Sequence, residues 1–315
     1  MDIQILLLLQ QFRDLTGGVL NGFFTFITNI AVDYYVAVPA LIIFWAIDKK
    51  KGARILMTWG TALGINAFLK TTFCVYRPWI RSSEIKPVEA AMAGATGYSF
   101  PSGHSTSAGG FYGGLYMAWR KFRGLCIFAV VMILLTMFSR LYVGVHTPQD
   151  VLVGALTGVA AALLVARIAD YIDAHPEKDW IIPAAATALV TVLLLYIYFK
   201  QYPMDYVDGK LLVDPKKMTV DGFKDPGRFY GIVLGWFLER RLVKFDPAGT
   251  PQQKLMRCIV GALLYIFCWT AICDPIGKAV GFGPVHFFLQ AGCQVIFLTV
   301  YPYFAVKAER KYDAR

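Results

Sequence analysis

Two of the chain's 4 histidines stand among residue types that bind phosphate, in Pro101-Ser102-Gly103-His104 and in Ser139-Arg140-x5-His146-x3-Asp150. Upstream lies Lys70-x6-Arg77-Pro78, which adds two cations. A neutral imidazole can attack phosphorus, and a protonated one can release an alkoxide, so the pair reads as phosphoester chemistry. Lys70, Arg77 and Arg140 fall at the ends of apolar runs or in adjoining loops, where a cation is costly without an anionic partner. No carboxylate pattern supplies three partners. A bound phosphate would, since guanidinium forks match its oxygens two at a time. For any one of these cations alone, snorkelling to lipid headgroups is the commoner role.

Pro101-Ser102-Gly103-His104 opens an apolar run, and a helix starting there leaves backbone N–H groups free for an anion. Gly103 permits close approach of a phosphate, and His104 stands beside it. His146-Thr147-Pro148-Gln149-Asp150 opens another run. Two roles are open for Asp150: closing a capping box with Thr147, or holding one ring nitrogen of His146 so that the other attacks. The division of labour then makes His146 the nucleophile and His104 the acid, with Lys70, Arg77, Ser102, Gly103 and Arg140 around the phosphate. Two histidines and an aspartate also suit a metal. Three cations in the same motifs would repel a divalent ion, however, so no metal or other cofactor is expected.

These residues need elements to position them, and composition says which. The chain is 57% hydrophobic and 17% charged with mean hydropathy +0.52, which places it among membrane proteins. Runs long enough to cross a bilayer begin near Ala31, Ile55, Ser105, Gly124, Val151, Ile181, Arg228, Met256 and Phe282, and Glu239-Arg240-Arg241 cuts the seventh short. The expected fold is an all-α polytopic bundle. Residues 1–20 form an interfacial amphipathic helix, because no basic segment or small-residue cleavage site marks a signal peptide. Residues 21–172 form a catalytic membrane core. Residues 173–315 add transmembrane helices and a polar loop at 200–228, whose charges nearly cancel. That loop is either simply solvated or a lid.

Net charge is +10. Nucleic acid is not the expected partner, since membrane proteins collect Lys and Arg at their cytoplasmic edge. Lys49, Lys50, Lys51, Arg54, Arg120, Lys121, Arg123, Arg240 and Arg241 fall on one side and the motifs on the other, so the motifs are expected on the non-cytoplasmic face of a plasma-membrane protein. The 6 cysteines show no paired spacing, and no disulfide framework or zinc site follows from them. Small residues four apart, Gly109 with Gly113, Gly110 with Gly114 and Gly154 with Gly158, allow close helix approach in lipid. Asp33 reads as an interfacial polar residue, His286 as a packed one and Asp274-Pro275 as a turn.

The three clusters together resemble the tripartite signature of the PAP2 (type 2 phosphatidic acid phosphatase, lipid phosphate phosphatase) superfamily, over the first half to two-thirds of the chain. The resemblance implies a six-helix core with further C-terminal spans. It also implies a phosphohistidine at His146, acid catalysis by His104 with support from Asp150, and phosphate binding by Lys70, Arg77, Ser102, Gly103 and Arg140. The expected activity is metal-independent hydrolysis of a lipid phosphomonoester or diphosphate: polyprenyl diphosphate, phosphatidate or phosphatidylglycerophosphate, or a sphingoid phosphate. A lipid phosphotransferase is the near alternative and a lipid transporter or flippase the distant one. The sequence leaves the oligomeric state open.

Overall fold

The computed structural model describes residues 2–313, so the outer ends of the first and third expected segments, Met1 and residues 314–315, lie outside the described residues. The described chain is a helical bundle. Its elements are α1 (Asp2–Leu15), α2 (Asn21–Asn29), α3 (Tyr34–Ile42, continued by a π-helical turn Ile43–Ile47), α4 (Lys49–Phe73), the short α5 (Pro78–Arg81) and α6 (Glu89–Met92), α7 (Gly103–Ala118), α8 (Arg123–Tyr142), α9 (Pro148–Ala174) and α10 (Ile181–Phe199). A small antiparallel hairpin, β1 (Tyr206–Val207) and β2 (Lys210–Leu211), leads to α11 (Pro215–Gly222) and α12 (Lys224–Leu238). The chain closes with α13 (Pro251–Phe267), α14 (Asp274–Val280), α15 (Gly283–Val295) and α16 (Tyr301–Asp313), joined by π-helical segments at Cys268–Cys273 and Ile296–Val300.

Five helices are long and apolar enough to cross a bilayer alone: Arg123–Tyr142, Pro148–Ala174, Pro176–Phe199, Pro251–Val280 and Gly283–Arg310. The bent pair Asn21–Asn29 with Tyr34–Ile47 makes a sixth. The other expected spans are α4, α7 and α12, and their position explains their weaker hydropathy. Residues 105–115 of α7 are all buried, enclosed chiefly by α4, α8 and α9. A helix shielded from lipid by its neighbours needs small residues for contact more than apolar ones for solvation. Gly158 shows how tight this is: a Cβ there would lie 2.3 Å from the Gly110 nitrogen.

Charge marks the end of the bundle opposite the motifs. Glu239, at the end of α12, is buried, accepting from Lys49 at 2.9 Å and from the Phe245 amide at 2.7 Å. Arg240 and Arg241 both bond Asp179. The run that shortens the seventh span in sequence is therefore an internally paired terminus. Two local expectations need correction. The stretch 200–228 carries the hairpin and α11, and α12 begins inside it, at Lys224. Asp274-Pro275 is helical: the proline sits in the first turn of α14, where its missing N–H costs nothing.

Candidate active site

The motif residues gather where α4, α7, α8 and α9 end on one side of the bundle. Near the C-terminus of α4, Lys70 Nζ donates to the carbonyls of Tyr98 and Pro101, each at 3.0 Å. One turn earlier, buried Asn66 donates to Thr106 Oγ1 at 2.9 Å. Ser102 caps α7, its Oγ accepting from the Ser105 amide at 3.3 Å. Its own amide donates to the Asp150 carbonyl at 2.9 Å, which ties the start of α7 to the start of α9. Only glycine permits this junction, because a Cβ on Gly154 would meet the Ser102 carbonyl oxygen at 2.6 Å. The amides of Gly103 and His104 open α7 in its first turn, where N–H groups lack intrahelical partners.

Hydrogen bonds fix the tautomer of His146. Arg77 Nη1 lies 2.9 Å from His146 Nε2, and a guanidinium can only donate, so Nε2 carries the lone pair and Nδ1 the proton. Nδ1 faces Asp150 Oδ2 and Ser99 Oγ, both at 3.3 Å. Asp150 Oδ2 also accepts from Ser99 Oγ at 2.5 Å and from the Thr147 amide at 2.8 Å, completing a capping box. One buried carboxylate thus closes the capping box and contacts the His146 ring. Burial, then the charges of Arg77, Arg140 and Lys70, hold the His146 imidazole well below its ordinary pKa.

The three cations differ in what they have left to give. Arg77 is 4% exposed and donates to the carbonyls of Gly97, Val145 and Thr96, each at 3.1 Å, besides His146. It is mainly a clamp between loops. Arg140 is 1% exposed, and its Nη1 donates to Thr28 Oγ1 at 2.7 Å. Its Nε and Nη2 are buried without a partner among the described residues. His104 has no hydrogen-bond partner among the described residues. The charges of Arg140, His146, Arg77 and Lys70 all act on it.

The chain after α10 covers part of this end. Tyr76 donates to Asp205 at 2.6 Å, Tyr202 stacks on Tyr98 with ring centroids 6.3 Å apart, and a Cβ on Gly97 would collide with Met218 Sδ at 2.4 Å. An apolar groove of about 200 Å³ between α4, α9, α10 and α12 lies at the opposite end. Its charged rim, Lys50, Arg54, Asp173 and Arg240, is internally paired, and none of the motif residues lines it.

Residues 51–173 match the PAP2 superfamily, and residues 223–311 match the transmembrane extension of PAP2 superfamily phosphatases. The chain belongs to the PAP2 superfamily. It is a multi-pass membrane protein and a PAP2 lipid phosphatase. An undecaprenyl-diphosphatase of Sulfolobus acidocaldarius is 27% identical over 152 residues, 48% of this chain and 71% of that protein. One of Bacillus subtilis is 28% identical over 171 residues, 53% of this chain and 82% of its own length. A lipid A 4'-phosphatase of Bacteroides thetaiotaomicron is 29% identical over 134 residues, 42% of this chain and 59% of its own length. No solved structure matches the chain.

Two residues of the candidate site carry no motif. Ser99 is fully buried between His146 and Asp150, with its amide tied to the Val75 carbonyl at 2.7 Å. Thr28, on α2, is the one side chain among the described residues that bonds Arg140. Neither carries a spacing signal. Ser99 lies between two aromatic residues, and Thr28 is 112 positions from Arg140.

Proposed function

We propose that the chain hydrolyses an isoprenoid diphosphate at the non-cytoplasmic face of the plasma membrane, through a phosphohistidine on His146. The observation that carries this reading is the half-empty fork of Arg140. Two buried donors on a permanent cation, with no carboxylate bound among the described residues, would be satisfied by a phosphate group. The substrate class follows the relatives that are covered over the largest share of their length, both undecaprenyl-diphosphatases. The sidedness rests on Lys49, Lys50, Lys51, Arg120, Lys121 and Arg123 at the other end of the bundle.

The terminal phosphate sits between Arg140 and the first-turn amides of α7, with Arg77 and Lys70 adding positive charge. His146 Nε2 attacks phosphorus as the Arg77 N–H moves from that nitrogen to a phosphate oxygen. Asp150 and Ser99 hold the Nδ1 proton. The P–O bond to the lipid phosphate breaks, and His104 gives its proton to the leaving oxygen. Water then attacks the phosphohistidine, His104 takes a proton from it, the P–N bond breaks and inorganic phosphate leaves. In-line positioning and neutralised oxygens are the main requirements of such a transfer, and the three cations supply the charge without a metal. Residues 21–172 are the catalytic unit in this reading, residues 1–20 an interfacial helix and residues 173–315 its extension.

Phosphate release by purified protein, measured over a panel of isoprenoid diphosphates, phosphatidate, lipid A and sphingoid phosphates with a divalent-metal chelator present, tests the proposal. Turnover should be highest on the isoprenoid diphosphate, and His146→Ala should lower it at least about 10³-fold. Unchanged turnover in that variant removes the covalent step; preference for another lipid removes the substrate assignment.

A further inference from the structure

We propose that the C-terminal extension binds a soft metal ion of low coordination number, Cu(I), in a three-thiol site made by Cys268, Cys273 and Cys293. The sulfur atoms of these residues all lie within 4.8 Å of one another, and Cys268 and Cys273 are 3.7 Å apart. All three are free, and Cys273 and Cys293 are each 2% exposed. Three thiols from two helices meet inside a protein region bounded by lipid.

The backbone is shaped for this meeting. Residues five apart on an α-helix point about 140° away from each other, so Cys268 and Cys273 would not meet on regular helix. The π-helical segment Cys268–Cys273 widens the turn and sets both sulfurs on one face, opposite Cys293 of α15. Such bulges recur at functional sites. On the same face of α15, seven residues toward the active-site end, His286 is fully buried and neither ring nitrogen has a hydrogen-bond partner among the described residues. An imidazole, with Asp274 Oδ1 4.0 Å from its Nε2, therefore stands between the thiols and the aqueous edge.

Donor chemistry selects the ion. Thiolates favour Cu(I) among biological metals, and no His, Asp or Glu among the described residues joins the group to complete the tetrahedron that zinc prefers. Low charge matters in a dry site. Two thiolates and one thiol around Cu(I) carry a single negative charge. Arg228 stands nearby, with its guanidinium 3.9 Å over the ring of Trp269 in the same π-helical segment, and its charge is already paired with Asp33 and Asp225. On binding, two S–H bonds release their protons to water, two thiolate–copper bonds form, the third sulfur donates a lone pair, and no electron is transferred. The ion joins α13 to α15, which lipid does not drive together by the hydrophobic effect.

The test titrates the purified full-length chain, in detergent with reductant under argon, with Cu(I) against a chromophoric Cu(I) chelator. One ion per chain should bind and raise the melting temperature. Cys273→Ser and Cys293→Ala should each weaken binding about 100-fold or more and abolish the rise. Both should release phosphate at the wild-type rate, which shows that they fold, while Cys74→Ser and Cys126→Ser should bind as wild type does. If the two site variants lose phosphate release, protection of Cys293 in the wild type from a membrane-permeant maleimide by Cu(I) decides instead. No binding, binding unchanged in both site variants, or no protection overturns the proposal.

Discussion

Buried arginines occur at the active site and in the C-terminal extension, and the company they keep is different. Arg228 of the extension bonds Asp33 at 2.9 Å and Asp225 at 3.0 Å, and Arg257 bonds Glu309. At the active site, Arg77 is held by three carbonyls and an imidazole and Arg140 by one hydroxyl, and neither bonds a carboxylate among the described residues. A buried ion pair is complete in itself and serves the fold. A buried cation without one is a cost to the empty protein that a ligand removes. The contrast separates structural charge from charge reserved for a substrate, in a chain where both kinds sit equally deep.

Breaking the structural kind should have the largest effect on stability. Arg228→Met strips Asp225 of its cation and leaves Asp33 only Lys224 at 3.8 Å, and because both carboxylates are partly exposed it should destabilise the protein by about 1–3 kcal/mol. Thermal unfolding in detergent measures this. Arg140→Met removes a cation that has no carboxylate to abandon, so its melting temperature should equal or exceed that of the wild type while phosphate release is lost. A destabilisation by Arg140→Met as large as that of Arg228→Met would erase the distinction.

Arg140→Lys sharpens the comparison further. It keeps the charge and loses the planar fork, and kcat/KM should fall roughly 10²- to 10³-fold, as when a preorganised donor is removed. Wild-type kinetics in steady-state phosphate release would refute Arg140 as a phosphate clamp. Ser99→Ala takes away a buried hydroxyl that orients the His146–Asp150 pair, so kcat should drop about 10-fold with KM little changed. An equal loss in KM and none in kcat would make Ser99 a packing residue only.

The smallest effect is on pH. Because burial and Arg77 depress the His146 pKa, the folded protein binds fewer protons there than the unfolded chain below about 6.5. The stability this group contributes is complete above that value and is lost as pH falls, by at most about 1.4 kcal/mol per pH unit. Melting curves from about pH 7 to 5 should therefore show a steeper decline in wild type than in His146→Gln.

Much of the site was legible in the residues because its motifs are local. A histidine four residues before an aspartate across a helix start places both groups together almost regardless of the fold, and Thr147 and Pro148 announce that start. The long apolar runs announce membrane helices in the same way. The sequence was silent on Ser99, on Thr28 and on the meeting of Cys268 with Cys293, since each depends on a partner brought in by another element. The 200–228 segment stayed ambiguous for a related reason: its nearly balanced charges suit a solvated loop as well as a cover, and only the fold shows Met218 and Tyr202 packed on Gly97 and Tyr98.

The sequence by itself determined a helical membrane protein with phosphate-handling groups at span ends, because hydropathy and capping act over a few turns. Only the tertiary structure decided which cations are spent on carbonyls and which remains open. Arg77 and Arg140 are chemically identical, and the number of free donors on each is set by the backbone that packs around it.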